Sequence, residues 1–338
     1  MSNSDYSGAS KLEFSENAEN AWTLPAFTYW EPSWFAREKS AIFHRGWLCI
    51  GHLSEIPEPG DYLTHTIIDQ PVLVVRDRQH NINAFHNVCK HRAHILLTDR
   101  QGTIGSSLIT CPYHAWSYDL GGTLRSAPKC ELIQGFNKGD IRLQAIKTEI
   151  ILGFIFINLD PEAAPLYPQM SPGIKRFAAH FEDLHTYRPA SRTTFDIKGN
   201  WKNVGDNLLE CYHCHPAHKA FVDLVDMDSY VVETEETWSW QGGVTRPQNM
   251  AYRIPDGLSD WQREFIKFFV WPNMAFTRFP GSDAMAVFVF EPRVAGPAAF
   301  FCPTPESMQV MFRILAERSY FSEHAVHHFH SLVIRHMR

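Results

Sequence analysis

The chain has 338 residues, of which 44% are hydrophobic and 20% charged, with a formal net charge of −6. This length allows about two domains, and the composition excludes a disordered chain. Net negative charge without long Lys/Arg runs argues against nucleic-acid binding. The longest apolar run, residues 150–159, is interrupted by Gly153 and Asn158 and is too short to span a bilayer.

In chain order, residues 1–15 are polar and carry acids, without the basic start or apolar core of a signal peptide, so a cytoplasmic protein is expected. Seven cysteines, an odd count, beside 18 histidines point to reduced thiols and metal ligands rather than disulfides. Residues 1–20 read as a tail. Residues 32–45 have a helical pattern that places Trp34, Phe35, Ile42 and Phe43 on one face before Gly46. Beyond Trp47, short β-rich runs (62–68, 72–76, 84–88, 108–111, 115–118) alternate with turn residues at Asp69-Gln70-Pro71, Gln101-Gly102 and Gly121-Gly122. Residues 150–159 read as one buried strand. The proline-rich stretch 160–172 reads as a link. Helices are predicted over 173–184, 201–214 and 261–268, and strands over 187–197, 230–236 and 284–291. An α+β protein follows: a tail and helix (1–44), a small all-β domain (45–160) and an α+β domain (161–338).

Two constellations carry chemistry. Cys89-Lys90-His91 is followed, after nineteen residues, by Cys111-Pro112-Tyr113-His114. Two Cys and two His can hold one tetrahedral zinc. They can also hold a two-iron cluster, thiolates on one iron and imidazoles on the other, which raises its reduction potential. Each half pairs Cys with His among strands and turns, which favours the cluster over a zinc finger. In the second constellation, residues 203–218, helical spacing places Asp206, Glu210 and His213 on one face. Pro216 should end that helix, and His218 then returns toward the same face. The expectation is a mononuclear iron held by His213 and His218, which still needs a third ligand, usually a carboxylate, and open positions for oxygen. A rival zinc set, Cys211, Cys214, His215 and His218, lies too close in sequence for easy tetrahedral closure.

Asn87-Val88-Cys89-x-His91-Arg92 with Cys111-Pro112-Tyr113-His114-Ala115-Trp116 resembles the Rieske domain of aromatic-ring-hydroxylating and related oxygenases. Asn200-Trp201-Lys202-Asn203 with Asp206-Asn207-x-x-Glu210-Cys211-Tyr212-His213 and His218 resembles the catalytic-iron stretch of the same large (alpha) subunits. Residues 153–161 are similar to the strand that closes their Rieske domain. The resemblance covers nearly the whole chain. It is nearest the quaternary-ammonium branch, the oxygenase components of carnitine, betaine and choline monooxygenases, on Glu210 in its Glu-Cys-Tyr-His context and on the tail Ser322-Glu323-His324 through His328-Phe329-His330.

The resemblance implies a Rieske [2Fe-2S] domain plus a catalytic domain whose antiparallel sheet is packed by helices in the helix-grip manner. It implies cluster ligands Cys89, Cys111, His91 and His114, and Fe(II) ligands His213 and His218. It makes Glu210 an electron bridge to a neighbouring subunit's cluster, hence a homo-oligomer, as a trimer. Asp206 and Asn207 would orient the iron histidines. Arg92 would order the cluster loop through carbonyls, while Trp116 and Tyr118 pack it. Cys49, Cys130 and Cys302 read as inert thiols. Trp238, Trp240, Trp271 and Tyr212 are candidate cage aromatics for a quaternary ammonium, although core packing explains them as well. A flavin/iron–sulfur reductase would deliver electrons from NAD(P)H, with O2 and a small molecule as co-substrates.

Three departures stand out. The His91–Cys111 spacing is long, with Gly102 and Gly105 to absorb it. Ala93 replaces a usual Gly. The helix that carries the third iron ligand is missing: residues 300–307 resemble the strand and turn before it, yet the chain soon enters the tail, as if a segment near 308–316 were deleted. Glu306, Glu317 and Glu323 are the carboxylates left, and the third ligand stays unassigned. The expected function is the oxygenase component of a two-component monooxygenase acting on a quaternary ammonium compound. The alternatives are a catalytically impaired paralogue, an aromatic-ring-hydroxylating dioxygenase alpha subunit and, last, a structural zinc protein.

Overall fold

Helix α1 (Pro32–Glu38), with Pro32 at its first position where a missing N–H costs nothing, continues into a wider turn over Lys39–Phe43. The computed structural model describes residues 23–130, 132–181, 187, 192–282, 284–294 and 306–313, with backbone alone for 293–294 and 306–313. The chain divides into two units, one formed mainly by Phe43–Pro168 and the other by Met1–Ile42, Gln169–Phe181 and Ala190–Arg338.

The Phe43–Pro168 unit is all β. Its strands are β1 (Leu48–His52), β2 (Asp61–Ile67), β3 (Gln70–Arg76), β4 (Ile82–His86), β5 (Gln101–Thr103), β6 (Leu108–Thr110), β7 (Ser117–Asp119), β8 (Leu124–Ser126), β9 (Ala145–Ile151) and β10 (Phe154–Asn158). They form a sheet ordered β1-β10-β9-β4-β3-β2-β5 and a smaller one ordered β6-β7-β8. Leu73, Val75, Phe85, Tyr118 and Leu124 are buried in one cluster together with Cys89 and Cys111. The single strand expected over 150–159 is instead a hairpin. Leu152 and Gly153 both have positive φ (53° and 83°), the two-residue turn whose twist matches the flanking strands. An apolar run does not reveal a turn carried by Leu. Gln101-Gly102, expected as a turn, lies in β5, where a Cβ on Gly102 would sit 2.7 Å from the Tyr62 hydroxyl. Helix α2 (Leu166–His180) starts inside the expected link. The Glu149 carboxylate accepts the backbone N–H groups of Leu166 (2.8 Å) and Tyr167 (3.0 Å), which satisfies donors a helix start leaves open.

The other unit is an antiparallel sheet between helices. Its remaining elements are β11 (Thr193–Ile197), α3 (Trp201–Leu209), α4 (Cys214–Ala217), α5 (Lys219–Leu224), β12 (Val231–Thr234), β13 (Trp238–Val244), β14 (Glu264–Val270), β15 (Met274–Arg278), β16 (Ala286–Val294) and β17 (Glu306–Arg313). The sheet order is β11-β17-β16-β15-β14-β13-β12. The helix expected over 261–268 is strand β14. It is buried on both faces, so its apolar residues run on without alternation, a pattern that a buried helix shares. Helix α2 covers one sheet face. Gly173 lets it approach Trp238 and Phe268, and Phe177 meets Trp240, Phe268 and Phe276. Helices α3 and α5 cover the opposite face, through Lys267 Nζ donating to Leu208 O and through Phe221 against Phe265.

Helix α3 is anchored at its start. Asn200 caps it by accepting from the Lys202 backbone N–H at 3.0 Å. Lys202 Nζ pairs with Glu38 Oε1 at 2.7 Å, and both side chains are fully buried. Trp34 and Trp201 donate their indole N–H groups to the same carboxylate, each at 2.8 Å. Burial lifts the Glu38 carboxyl above its ordinary range, and Lys202 and the two indoles offset part of that rise.

Candidate metal centres and active site

The two Cys–His loops are built alike. Cys89 N donates to His94 O (2.8 Å) and Ala93 N to Cys89 O (3.0 Å). Cys111 N likewise donates to Trp116 O (2.8 Å) and Ala115 N to Cys111 O (3.0 Å). Ala93 and Ala115 hold matching positive φ of 55° and 56°. The position where the sequence departs from Gly therefore does need the left-handed region. The loops bring like donors together. The two thiols are buried within hydrogen-bonding reach of each other, and the His91 and His114 rings lie 4.7 Å apart. His91 stacks on Trp116 (4.8 Å), and His114 is exposed. Tyr118 does more than pack. Its hydroxyl lies 3.3 Å from Cys89 Sγ and accepts from Lys90 N at 3.0 Å. Arg92 is exposed and forms no hydrogen bond to carbonyls among the described residues. Its charge, after partial desolvation and His91, helps hold His114 below the usual histidine range. Cys49 is a buried free thiol, Cys130 is partly exposed, and Cys302 lies outside the described residues.

The second site departs from the expected long helix. Helix α3 ends at Leu209, and Glu210 is extended (φ −127°, ψ 158°). Its carboxylate accepts the backbone N–H groups of Tyr212 and His213, the last at 3.3 Å, and so competes with continued helix. Asp206 therefore does not share a helix face with Glu210 and His213. Instead it accepts the Tyr29 hydroxyl at 2.6 Å. Glu210 Oε1 pairs with His213 Nδ1, and the other ring nitrogen, Nε2, is buried. Pro216 lies inside short α4 rather than ending a helix, and His218 terminates it at φ −132°. The His213 and His218 rings come to 5.0 Å, at 70° to each other.

Cys211 and Cys214 are joined in a disulfide, which corrects the expectation of reduced thiols and removes the rival zinc set. The turn after α3 brings their Cα atoms to 5.1 Å, within bridging range. Among the described residues, no three His, Cys, Asp or Glu side chains surround one position. Glu306 is described only as β17 backbone, and Glu317 and Glu323 lie outside the described residues, as does the tail. Trp238 and Trp240 lie on the sheet face packed by α2, away from α3, so they form no cage beside His213 and His218. Trp271 is buried against Trp201, and Tyr212 is 80% exposed.

Sequence reasoning missed one group. Gln241, Lys267 and Thr277 stand side by side on β13, β14 and β15, on the face that α3 and α5 cover. All three are buried. A lysine in the misread 261–268 segment was the available signal.

The model of the Rieske [2Fe-2S] domain matches residues 46–137, and that of the ring-hydroxylating alpha subunit catalytic domain matches residues 184–299. The carnitine monooxygenase oxygenase subunit of Acinetobacter pittii is 36% identical over 275 residues, which cover 81% of this chain and 73% of that protein. The chain belongs to the Rieske non-haem iron oxygenase family. The corresponding subunit of Escherichia coli K12 is 36% identical over 81% of this chain and 72% of its own length. Choline monooxygenase of Atriplex hortensis is 33% identical over 82% of this chain and 62% of that protein. A crystal structure of the quaternary ammonium Rieske monooxygenase CntA with L-carnitine superposes with a TM-score of 0.77. It has 28% identity and covers 95% of this chain and 97% of that one. Naphthalene 1,2-dioxygenase from Rhodococcus, at 22% identity and a TM-score of 0.69, shares the fold.

As a Rieske oxygenase the chain is an oxidoreductase that incorporates oxygen from O2, using a [2Fe-2S] cluster, a mononuclear iron and electrons from a reductase. Its donors fit those groups. A buried thiol pair beside a separate imidazole pair suits two irons better than one zinc. Two neighbouring imidazoles, one held at Nδ1 by a carboxylate, suit a mononuclear iron site. No helix among the described residues is long and apolar enough to cross a membrane.

Proposed function

We propose that this chain is the oxygenase component of a two-component monooxygenase acting on a quaternary ammonium compound of the carnitine or betaine type. The Rieske domain would occupy 45–160 and the catalytic domain 161–338, with 1–44 as an N-terminal extension. Cys89 and Cys111 would hold one cluster iron, His91 and His114 the other, and His213 and His218 the catalytic iron. The cluster supplies single electrons and the iron supplies oxygen activation. In the net reaction, a substrate C–H, O2, two electrons and two protons give C–OH and water. At the carbon beside the ammonium nitrogen, the carbinol then expels trimethylamine and leaves an aldehyde.

Glu210 fixes the His213 tautomer. It stays partly exposed, which supports a second role in reaching a cluster histidine of a neighbouring subunit. A trimer and a flavin/iron–sulfur reductase in the cytoplasm complete the proposal. The observation that carries the reading is the sorting of donors into a thiol pair, an imidazole pair and a second, carboxylate-held imidazole pair.

The test is anaerobic purification, visible and EPR spectra after reduction, iron stoichiometry and single-turnover product analysis. A Rieske signal, iron beyond the cluster pair, loss of that extra iron in His213→Ala, and product from a trimethylammonium substrate are expected. A colourless zinc protein would overturn the reading. Cluster iron alone, with no product from reduced protein, would favour the impaired paralogue, for which the missing third carboxylate speaks.

A further inference from the structure

Tyr29 precedes both matched domains, yet it reaches the helix that leads to His213 and His218. Its hydroxyl donates to Asp206 Oδ2 at 2.6 Å, the length of a charge-assisted hydrogen bond. Its backbone carbonyl accepts Asn200 Nδ2 at 3.1 Å, and Lys202 Nζ stands 5.2 Å from its ring centroid. Asn200 caps α3, Lys202 lies in its first turn and Asp206 in its last. One residue thus grips the helix from Asn200 to Asp206, about 9 Å along its axis. The segment is tied down again further on, where Glu38 at the end of α1 pairs with Lys202 at 2.7 Å.

The last turn of α3 decides where the next stretch begins. Glu210 leaves the helix extended, accepts the Tyr212 and His213 backbone N–H groups, and pairs with His213 Nδ1. Residues Glu210 to His213 lie outside any helix, so no helical ladder guides them. Their course starts from the orientation of the turn that carries Asp206. Burial and the neighbouring Asp206 carboxylate push the Tyr29 phenol up, so Tyr29 remains the donor and Asp206 the acceptor.

We infer that Tyr29 is a positioning residue for the mononuclear iron: through Asp206 it sets the last turn of α3, and through that turn the placement of Glu210, His213 and His218. This rests on His213 and His218 as the iron ligands. It extends the iron site to a segment that neither matched domain contains. Asp206 acts here as the acceptor that Tyr29 holds, and not through its charge on the metal. Groups that orient metal ligands from outside are typically worth tenfold or more in metal affinity.

The test measures Fe(II) binding to full-length protein that keeps its cluster, together with the EPR line shape of the nitric oxide adduct of the bound iron. Wild type, Tyr29→Phe, Asp206→Leu, Asp206→Asn and the control His213→Ala are compared at a temperature where all stay folded. Tyr29→Phe removes the hydroxyl and keeps the ring and the carbonyl. In Tyr29→Phe and Asp206→Leu the Kd for Fe(II) should rise about tenfold and the EPR lines broaden, with the visible spectrum of the cluster unchanged. Asp206→Asn retains an acceptor for the Tyr29 hydroxyl and should recover most of the affinity and the line shape. Wild-type affinity and line shape in Tyr29→Phe would overturn the inference. So would an Asp206→Asn as impaired as Asp206→Leu, since that result would assign the effect to charge. Wild-type iron binding in His213→Ala would instead sink the ligand reading, and this inference with it. Should Tyr29→Phe fail to fold, Asp206→Leu against Asp206→Asn decides by the same two readouts.

Discussion

Replacing Lys202 by Met removes the cation from a carboxylate that stays buried between two tryptophans. Glu38 and Lys202 are each 0% exposed and 2.7 Å apart. Breaking a buried pair from one side typically costs about 3–5 kcal/mol, because an uncompensated charge is left behind. Against a total stability of roughly 5–15 kcal/mol, that is a large fraction. It corresponds to a fall in Tm of about 10 °C for a unit of this size. The sign of the pH dependence follows from Glu38, whose folded pKa is raised by burial. A raised carboxyl contributes stability below its unfolded pKa, near 4.3, and that contribution is lost as pH rises through the folded pKa. Without Lys202 the folded pKa climbs further, so the deficit of the variant should widen as pH rises from about 4.3 toward neutrality and above. The double variant Glu38→Met with Lys202→Met should recover most of the loss. Urea denaturation at several pH values measures both effects. A single-variant loss under about 1 kcal/mol, flat with pH, would refute the reasoning.

Three further outcomes follow from the Phe43–Pro168 unit. Ala93→Gly should stabilise the cluster loop by roughly 0.5–1 kcal/mol, because φ of 55° is strained for Ala and easy for Gly; retention of visible absorbance on heating reads it. Gly153→Ala should cost about 2 kcal/mol or more. It adds a left-handed penalty (φ 83°) to a Cβ placed 2.4 Å from His52 Nε2, and urea unfolding reads the loss. Tyr118→Phe removes the hydroxyl 3.3 Å from Cys89 Sγ. The cluster's reduction potential should fall, as hydrogen bonds to a ligand sulfur stabilise the reduced form; redox titration of the purified holoenzyme checks the direction.

The cluster loops were legible because their donors lie close in sequence and each sits after a short strand. Their shared backbone pattern was only half visible, through the Ala93 anomaly. The iron stretch was legible in composition but not in shape. Helical periodicity says nothing of Glu210 turning its carboxylate back onto the backbone, so the expected single face of Asp206, Glu210 and His213 was wrong. The Glu38–Lys202 pair joins residues 164 positions apart, and no local pattern announces such a partner. Strand β14 misled for another reason. Burial on both faces erases alternation, so the apolar run around Lys267 reads equally well as a buried helix.

The row of Gln241, Lys267 and Thr277 is held by register, and register has parity. Inserting one residue into β14 just ahead of Lys267 would turn the lysine onto the α2 face and bring Phe268 and Val270 to the face that α3 and α5 cover. Two inserted residues would preserve the faces and only slide the row along the strand. Length changes in this strand are therefore tolerable in pairs and disruptive singly, whereas the irregular segment that carries His213 and His218 is under no such arithmetic. Point substitutions on this lattice can therefore change the buried row without moving the segment that carries His213 and His218.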